Sequence, residues 1–384
     1  MMKNFFKMFT SEQKNALFLL CILIISIFFS NTYTNLYNNI IYYPVQLNLY
    51  YITLDFTIHD CINEFLMTLF FFSVALEIKK EILFGSLKNF KQQALPLLCA
   101  ITGSIFPMII YYLFNCHDIS AIQGVAVPVA TDIVLALSLF SFFSKTLPDI
   151  LRVFLITLSV ADDLIGILII LCFYQPNIDI RYIFVILPVL FLLLFCNIKN
   201  IVSLPLYMFN GLLLWFFCYK LGIHPTCSGI LLSSFVPLET KSYNLIELKL
   251  KPYINQLIIP LFIFSNCNIS VRHMNYSMMI HPIFLGVTLG LFTGKSLAIY
   301  ITVVICIKLR IFSLPTNVRL KHYYFLSLFC GIGFTMSTFI ALISFTDNLY
   351  YLTITKAGII TGSLLSILTI LLLRCLNKKL NLFS

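Results

Sequence analysis

Charge is what this sequence has least of. Only 10% of its 384 residues are Asp, Glu, Lys or Arg, 60% are hydrophobic, and the mean hydropathy is +0.97. Soluble domains carry about a quarter charged residues. No soluble core hides this much apolar surface, so most of it must face lipid. Paired cysteines are missing as well. The twelve cysteines are scattered singly, without CxxC or metal-ligand spacing, and read as small apolar packing residues. The first apolar run lacks a small-residue cleavage site and is followed by more runs, so it reads as a retained helix and not a removed leader. No connection is long enough for a soluble domain. Residues 1–384 therefore read as a single integral membrane domain, all-α and polytopic.

Twelve apolar runs are present, at about 15–31, 58–78, 94–114, 121–142, 150–173, 182–197, 200–218, 222–237, 252–270, 282–307, 323–345 and 355–376. About 20 residues span a bilayer, so the eighth run is short. The net charge of +10 resolves into topology. With the N-terminus inside, 20 of the 25 Lys and Arg fall on the inside. Four, namely Arg181, Lys220, Arg272 and Lys356, fall outside, and Lys295 lies within a run. This positive-inside bias places both termini in the cytoplasm and argues against nucleic acid as a partner; the partner is the lipid bilayer. The longest outside connection, about 31–56, contains IIYYPVQLNLYYITL, whose β-branched and aromatic residues around Pro44 suit a hairpin. An exposed hairpin edge is a pairing surface, which raises a homodimer through this loop.

Two runs are interrupted. The fourth reads QGVAVPVATDIVLALSLF, with Gly124, Pro128, Thr131 and Asp132. The eleventh reads FCGIGFTMSTFIALI, with Gly331, Gly333, Thr335 and Ser337. Proline removes a backbone donor and glycine weakens a helix, so both runs are expected to unwind. Unwound backbone at membrane depth is tolerated only inside protein or facing a watery cavity. Helix ends meeting there need compensating charge of both signs, for which Asp132 and Lys295 are candidates.

The fifth run carries Asp162 and Asp163 side by side. Its sixteen Leu, Ile, Phe and Val residues supply at most about −5 to −9 kcal/mol towards insertion, and two central aspartates return about +5 to +7. The carboxylates must therefore face a bundle interior or a water-filled cavity. Neighbours on a helix diverge by about 100°, so one can face an ion cavity and the other a partner helix. Lys295 is either a structural partner for an aspartate or a proton-carrying group. Thr131 reads equally as a helix-bending threonine or a ligand. Carboxylates, carbonyls and hydroxyls are ligands for a small hard cation, and protonation removes the carboxylate charge. Sodium and protons then compete for the same oxygens.

In order along the chain, VAVPVATDIVLALSLF, LSVADDLIGILIILCFY, LGIHPTCSG, LIIPLFIFSN, LFTGKSLAIY and FCGIGFTMSTFIA closely resemble the NhaA-type sodium/proton antiporters, from about Asn63 to Leu373. Inverted repeats and discontinuous helices belong to that family and are not read from the spacing. The resemblance implies twelve helices, repeats around spans three to five and ten to twelve, and crossed, unwound helices in spans four and eleven. It also implies a dimer through the outside hairpin and a bacterial inner-membrane location. By motif, Asp163 is implied as the essential cation and proton carboxylate, and Asp162 as its neighbour and the partner of Lys295. Together the two are the implied Na+ ligands. Asp132 would compensate the helix crossing, with Thr131 as a further ligand. Glu77, Glu81, His224 and Glu247 match positions linked to pH response; they read equally as interface polar groups. Leu248 and Lys251 stand where relatives often carry histidines, and Ser265 and Asn268 replace small residues. No cofactor is implied, because Na+, Li+ and H+ are cargo.

Two other function classes fit less well. An intramembrane enzyme would need more acidic residues: the fifth position of a DDxxD pattern is Gly166, and GIGF ends in Phe334 where a GxGD protease element needs Asp. A cation channel differs by conducting without an opposing proton gradient. The sequence thus points to electrogenic exchange of cytoplasmic Na+ or Li+ for external H+ with alternating access.

Overall fold

Backbone N–H and C=O groups in hydrocarbon find no water, so a lipid-embedded chain closes its hydrogen bonds within helices. The computed structural model describes residues 10–49, 52–84, 90–143, 147–174, 179–201, 203–237, 249–268, 275–312, 314–315 and 318–380. Among them, seven helices are long and apolar enough to cross a membrane, and two shorter ones reach that standard as a bent pair. The protein is a helical, multi-pass membrane protein. Other expected spans appear as shorter elements: Ile183–Ile198, Leu204–Leu221, Cys227–Phe235, and Ile259–Asn266 preceded by a π-helical Ile254–Ile258. Contacts divide the chain into two units, one of residues 1–21, 89–169 and 269–384, the other of residues 22–88 and 170–268.

The second unit contains the outside loop. Its first part is a helix, Thr34–Ile41, where the sequence suggested only an outside connection. Tyr37 and Ile41, four residues apart, share its buried face, and the Tyr37 hydroxyl donates to the Phe264 carbonyl at 2.6 Å. The expected hairpin follows: Pro44–Leu49 pairs antiparallel with Ile52–Thr57, from Pro44↔Thr57 to Leu49↔Ile52. A reciprocal Thr57–Asp60 capping box turns the chain directly into Ile58–Leu83, which has a π-helical turn at Cys61–Leu66. The eighth run is short because Leu204–Leu221 ends at Gly222, whose φ of 85° turns the chain before the next helix starts at Cys227. The far end of Cys227–Phe235 is held by Lys79, whose ammonium donates to the Ser234 and Val236 carbonyls at 2.7 and 2.8 Å.

The first unit is built on Phe90–Asn115, Asp149–Phe173, Leu349–Leu380 and a helix running through Pro282–Lys308. The last of these is α-helical except for a π-helical turn at Gly290–Lys295. A Thr102–Thr302 hydroxyl pair at 2.7 Å ties it to Phe90–Asn115. The final helix starts at Leu349, earlier than the apolar run suggested, because the Asn348 side chain accepts from Tyr351 N at 3.1 Å. Lys356, assigned by sequence to an outside segment, therefore lies within the helix and is buried. Lys295 is not alone as a buried lysine.

Candidate functional site

Pro128 and the glycines do interrupt their helices. The fourth run folds as Ile119–Ile122, then a 3-10 stretch Gln123–Val129 containing Pro128, then extended backbone, then Ile133–Ser141. The eleventh folds as Leu320–Cys330 and Phe334–Ser344, bent by 44°. The two breaks touch: Asp132 N donates to the Ile332 carbonyl at 2.7 Å. Gly331 and Gly333 are needed for closeness rather than for unusual dihedrals. A Cβ on Gly331 would lie 2.6 Å from Ser366 Oγ and 2.9 Å from the Leu291 carbonyl oxygen. One on Gly333 would lie 2.3 Å from Ser337 Oγ and 3.1 Å from the Ala130 carbonyl oxygen.

Each broken helix leaves N–H groups bare on one side of the gap and carbonyls bare on the other. Asp132 serves both N-terminal ends. Its Oδ1 accepts from Leu135 N at 3.0 Å, and its Oδ2 accepts from Thr335 N at 3.1 Å and from the Thr335 hydroxyl at 2.6 Å. The carbonyl ends receive donors. Lys295 Nζ donates to the Val129 carbonyl, which closes the 3-10 stretch. The Thr131 hydroxyl lies 3.1 Å from the Cys330 carbonyl and 2.8 Å from Asp162 Oδ2, giving its single proton to one of them at a time. An anion thus sits on the positive ends of the helix dipoles and a cation on a negative end. That Thr335 donates twice to the Asp132 carboxylate was not visible in the sequence, since it depends on the two breaks meeting.

Lys295 Nζ also lies 2.8 Å from Asp162 Oδ2, with both side chains fully buried. Asp163, on the next position of Asp149–Phe173, is 1% exposed. Asp162 and Lys295 reach the breaks through Thr131 and the Val129 carbonyl, and Asp163 is the next residue along the same helix. Desolvated ions of this kind persist only when geometry and hydrogen bonds compensate them, and the Asp162–Lys295–Val129 and Asp162–Thr131–Cys330 contacts supply part of that. The π-helical turn ending at Lys295 is the kind of irregularity that often accompanies functional sites.

The residues matched to pH response lie in the other unit. Glu77 accepts from Lys251 Nζ at 3.4 Å, across a partly exposed pair. Glu81 is on the same helix as Glu77. His224 Nδ1 is 2.8 Å from Thr226 Oγ1 in the turn before Cys227–Phe235. Ser265 is fully buried, and its carbonyl lies 3.1 Å from the Tyr37 hydroxyl. Glu247 and Leu248 lie outside the described residues.

Outside the membrane-spanning segments of the first unit, Asp118 precedes the broken run. Its carboxylate accepts from the Tyr351 hydroxyl at 2.5 Å and from Ser120 N and Ala121 N at 2.9 and 3.3 Å. The Tyr351 hydrogen bond, helped by those backbone donors and opposed by desolvation, holds the Asp118 carboxyl below the usual carboxylate range.

The family described as Na+/H+ antiporter 1 matches residues 6–373. The chain is 35% identical over 376 residues to a Na(+)/H(+) antiporter NhaA of Pelagibacter ubique, covering 95% of this chain and 96% of that protein. It is 34% identical over 367 residues to Na(+)/H(+) antiporter NhaA 1 of Campylobacter hominis, covering 94% and 92%. With a Na(+)/H(+) antiporter NhaA of Shewanella loihica the identity is 32% over 363 residues, 93% of each chain.

Proposed function

The chain belongs to the NhaA family of sodium/proton antiporters, and from that premise we propose that it exchanges cytoplasmic Na+ or Li+ for external H+. Members of the family are transporters and not enzymes, with no known cofactor. The observation that carries the reading is the buried Asp162–Lys295 pair, 2.8 Å apart, beside Asp163 at two broken helices that share Asp132 as their cap.

Asp163 is the carboxylate that takes either cation or proton. Asp162 is its neighbour and the partner of Lys295, and Thr131 adds an oxygen. Asp132 neutralises the dipoles where spans four and eleven cross. A protonated Asp163 has no charge to offer a hard cation, and a bound cation excludes the proton, so occupancy by one releases the other. Alternating exposure of this site to the two sides then couples the fluxes. The exchange is electrogenic, so net charge crosses in each cycle. The architecture that suits this cycle is a single transporter domain of twelve spans with inverted repeats, both termini cytoplasmic, dimerising through the loop at 31–56.

The test uses everted vesicles with a pH-sensitive dye and a preset proton gradient, across pH, with Na+, Li+ and K+. Wild type should dissipate the gradient on adding Na+ or Li+, and Asp163→Asn should not. An Asp163→Asn protein that still exchanges would overturn the site. Currents that persist without an opposing proton gradient would indicate a channel.

A further inference from the structure

Buried hydroxyls in a helix usually donate to the carbonyl three or four residues back. The first unit follows the rule widely: Thr157 donates to Val153 at 2.9 Å, Thr338 to Phe334 at 2.6 Å and Ser344 to Ile340 at 2.8 Å. Ser159, Ser337, Thr355 and Ser363 break it, and of these Ser159 and Ser337 lie on the two helices that carry the aspartate pair and the second break. Ser159 and Ser337 are fully buried, and neither Oγ has a hydrogen-bond partner among the described residues. Leaving such a group bare is unfavourable unless a ligand uses it.

Their positions relate them to the aspartates. Ser159 is one turn before Asp163 on Asp149–Phe173, on the same helix face. Ser337 is in the first turns of Phe334–Ser344, and its Oγ points back into the break, beside Gly333 and near the Ala130 carbonyl. Two contacts register these helices. Thr131 bridges Asp162 to the Cys330 carbonyl, and a Cβ on Gly166 would lie 3.8 Å from Ile340 Cδ1. The strands of chain 162–166 and 330–340 therefore run in the same direction, and Asp163 and Ser337 both fall between the two contacts. Asp162 Oδ1, also buried without a hydrogen-bond partner, belongs to the same neighbourhood.

We propose that Ser159 and Ser337 are cation ligands: their hydroxyl oxygens replace hydration water on Na+ or Li+ bound at Asp163, and so set affinity and the preference between the two ions. The proposal rests on the exchange reading above. A dehydrated hard cation needs several oxygens, and neutral hydroxyls supply them without adding charge that would have to be neutralised. A site rich in fixed neutral oxygens also discriminates by ion size.

The test uses the full chain, purified and reconstituted, with Ser159→Ala, Ser337→Ala and Ser337→Cys. Two quantities are read: KM for Na+ and for Li+, and the thermal midpoint with and without Na+. Each Ala variant should raise KM for Na+ by about tenfold, the scale of one lost polar contact. The Na+/Li+ ratio should change, and the rise in midpoint on adding Na+ should shrink. Without Na+ the midpoint should stay the same or increase, since an unused buried hydroxyl is removed. Ser337→Cys keeps the volume but replaces a hard oxygen by soft sulfur, so it should behave like Ser337→Ala. Rescue by Cys, a lower midpoint without Na+, or KM values within twofold of wild type for both ions would each overturn the proposal. If Asp163→Asn still exchanges, the underlying reading fails. If Asp163→Asn is inactive while the serine variants keep wild-type KM, only this inference falls.

Discussion

At the residue scale, the buried ion pair is the most exposed to perturbation. Removing one partner of a buried pair leaves an uncompensated charge and costs about 3–5 kcal/mol, whereas removing both is far milder. Lys295→Met should therefore destabilise the purified protein by about that amount. The double variant Asp162→Asn with Lys295→Met should recover most of the loss, read as thermal or denaturant midpoints in one detergent. A double variant as unstable as the single one would mean that Lys295 stabilises mainly through the Val129 carbonyl. Asp162, Asp163, Asp132 and Lys295 were legible because a charge in an apolar run demands an explanation wherever it occurs. Thr335 and Ser337 were legible only as members of the interrupted run, without roles, and Ser159 not at all, since serine and threonine are ordinary in membrane helices. Their hydrogen bonding together with their place on the helices that carry the aspartates and the break separates them from other hydroxyls. Lys356, counted with the outside cations, sits near the end of an apolar run, and the helix extends past that end and buries it.

At the element scale, two halves of two helices depend on one carboxylate. An N-cap replaced by Ala costs about 1 kcal/mol, so Asp132→Ala, which uncaps Ile133–Ser141 and Phe334–Ser344 together, should cost about 2 kcal/mol. Asp132→Asn, which keeps a capping oxygen, should cost less; comparing the two in equilibrium unfolding separates capping from charge. Asp118 gives a pH-dependent counterpart. Its carboxyl titrates below the usual range, so the stability it contributes is complete above the unfolded value of about 4 and is lost as pH falls through the folded value. Asp118→Asn keeps a capping oxygen and loses only the charge, so it should be less stable than wild type by about 0.5 kcal/mol at pH 7, and the gap should close below about pH 4 in a pH series of melting curves. A gap that is constant with pH would assign the effect to shape and not to charge. The breaks themselves were legible from Pro128 and the glycine pair. The hairpin was legible too, from its alternating residues around Pro44. Thr34–Ile41 was hidden because its polar Asn and Tyr residues look like a loop until Tyr37 meets the Phe264 carbonyl.

At the scale of the whole molecule, the proposed dimer has a direct test. Deleting residues 45–56 should halve the mass found by light scattering in mild detergent, and an unchanged mass would place the contact elsewhere or remove it. Composition alone determined that this chain lives in a membrane, and the placement of its cations gave an expected orientation. Both are properties that each residue carries independently of its distant neighbours: hydrophobicity and charge sum along the chain. The order of motifs likewise carried the family. Only the tertiary structure decided that Asp132 caps two helices, that Lys295 reaches Asp162 and the Val129 carbonyl, and that the Ser159 and Ser337 hydroxyls are unmet. Those facts depend on distances of a few ångströms between residues up to about two hundred positions apart, and such distances are set by packing and not by local sequence.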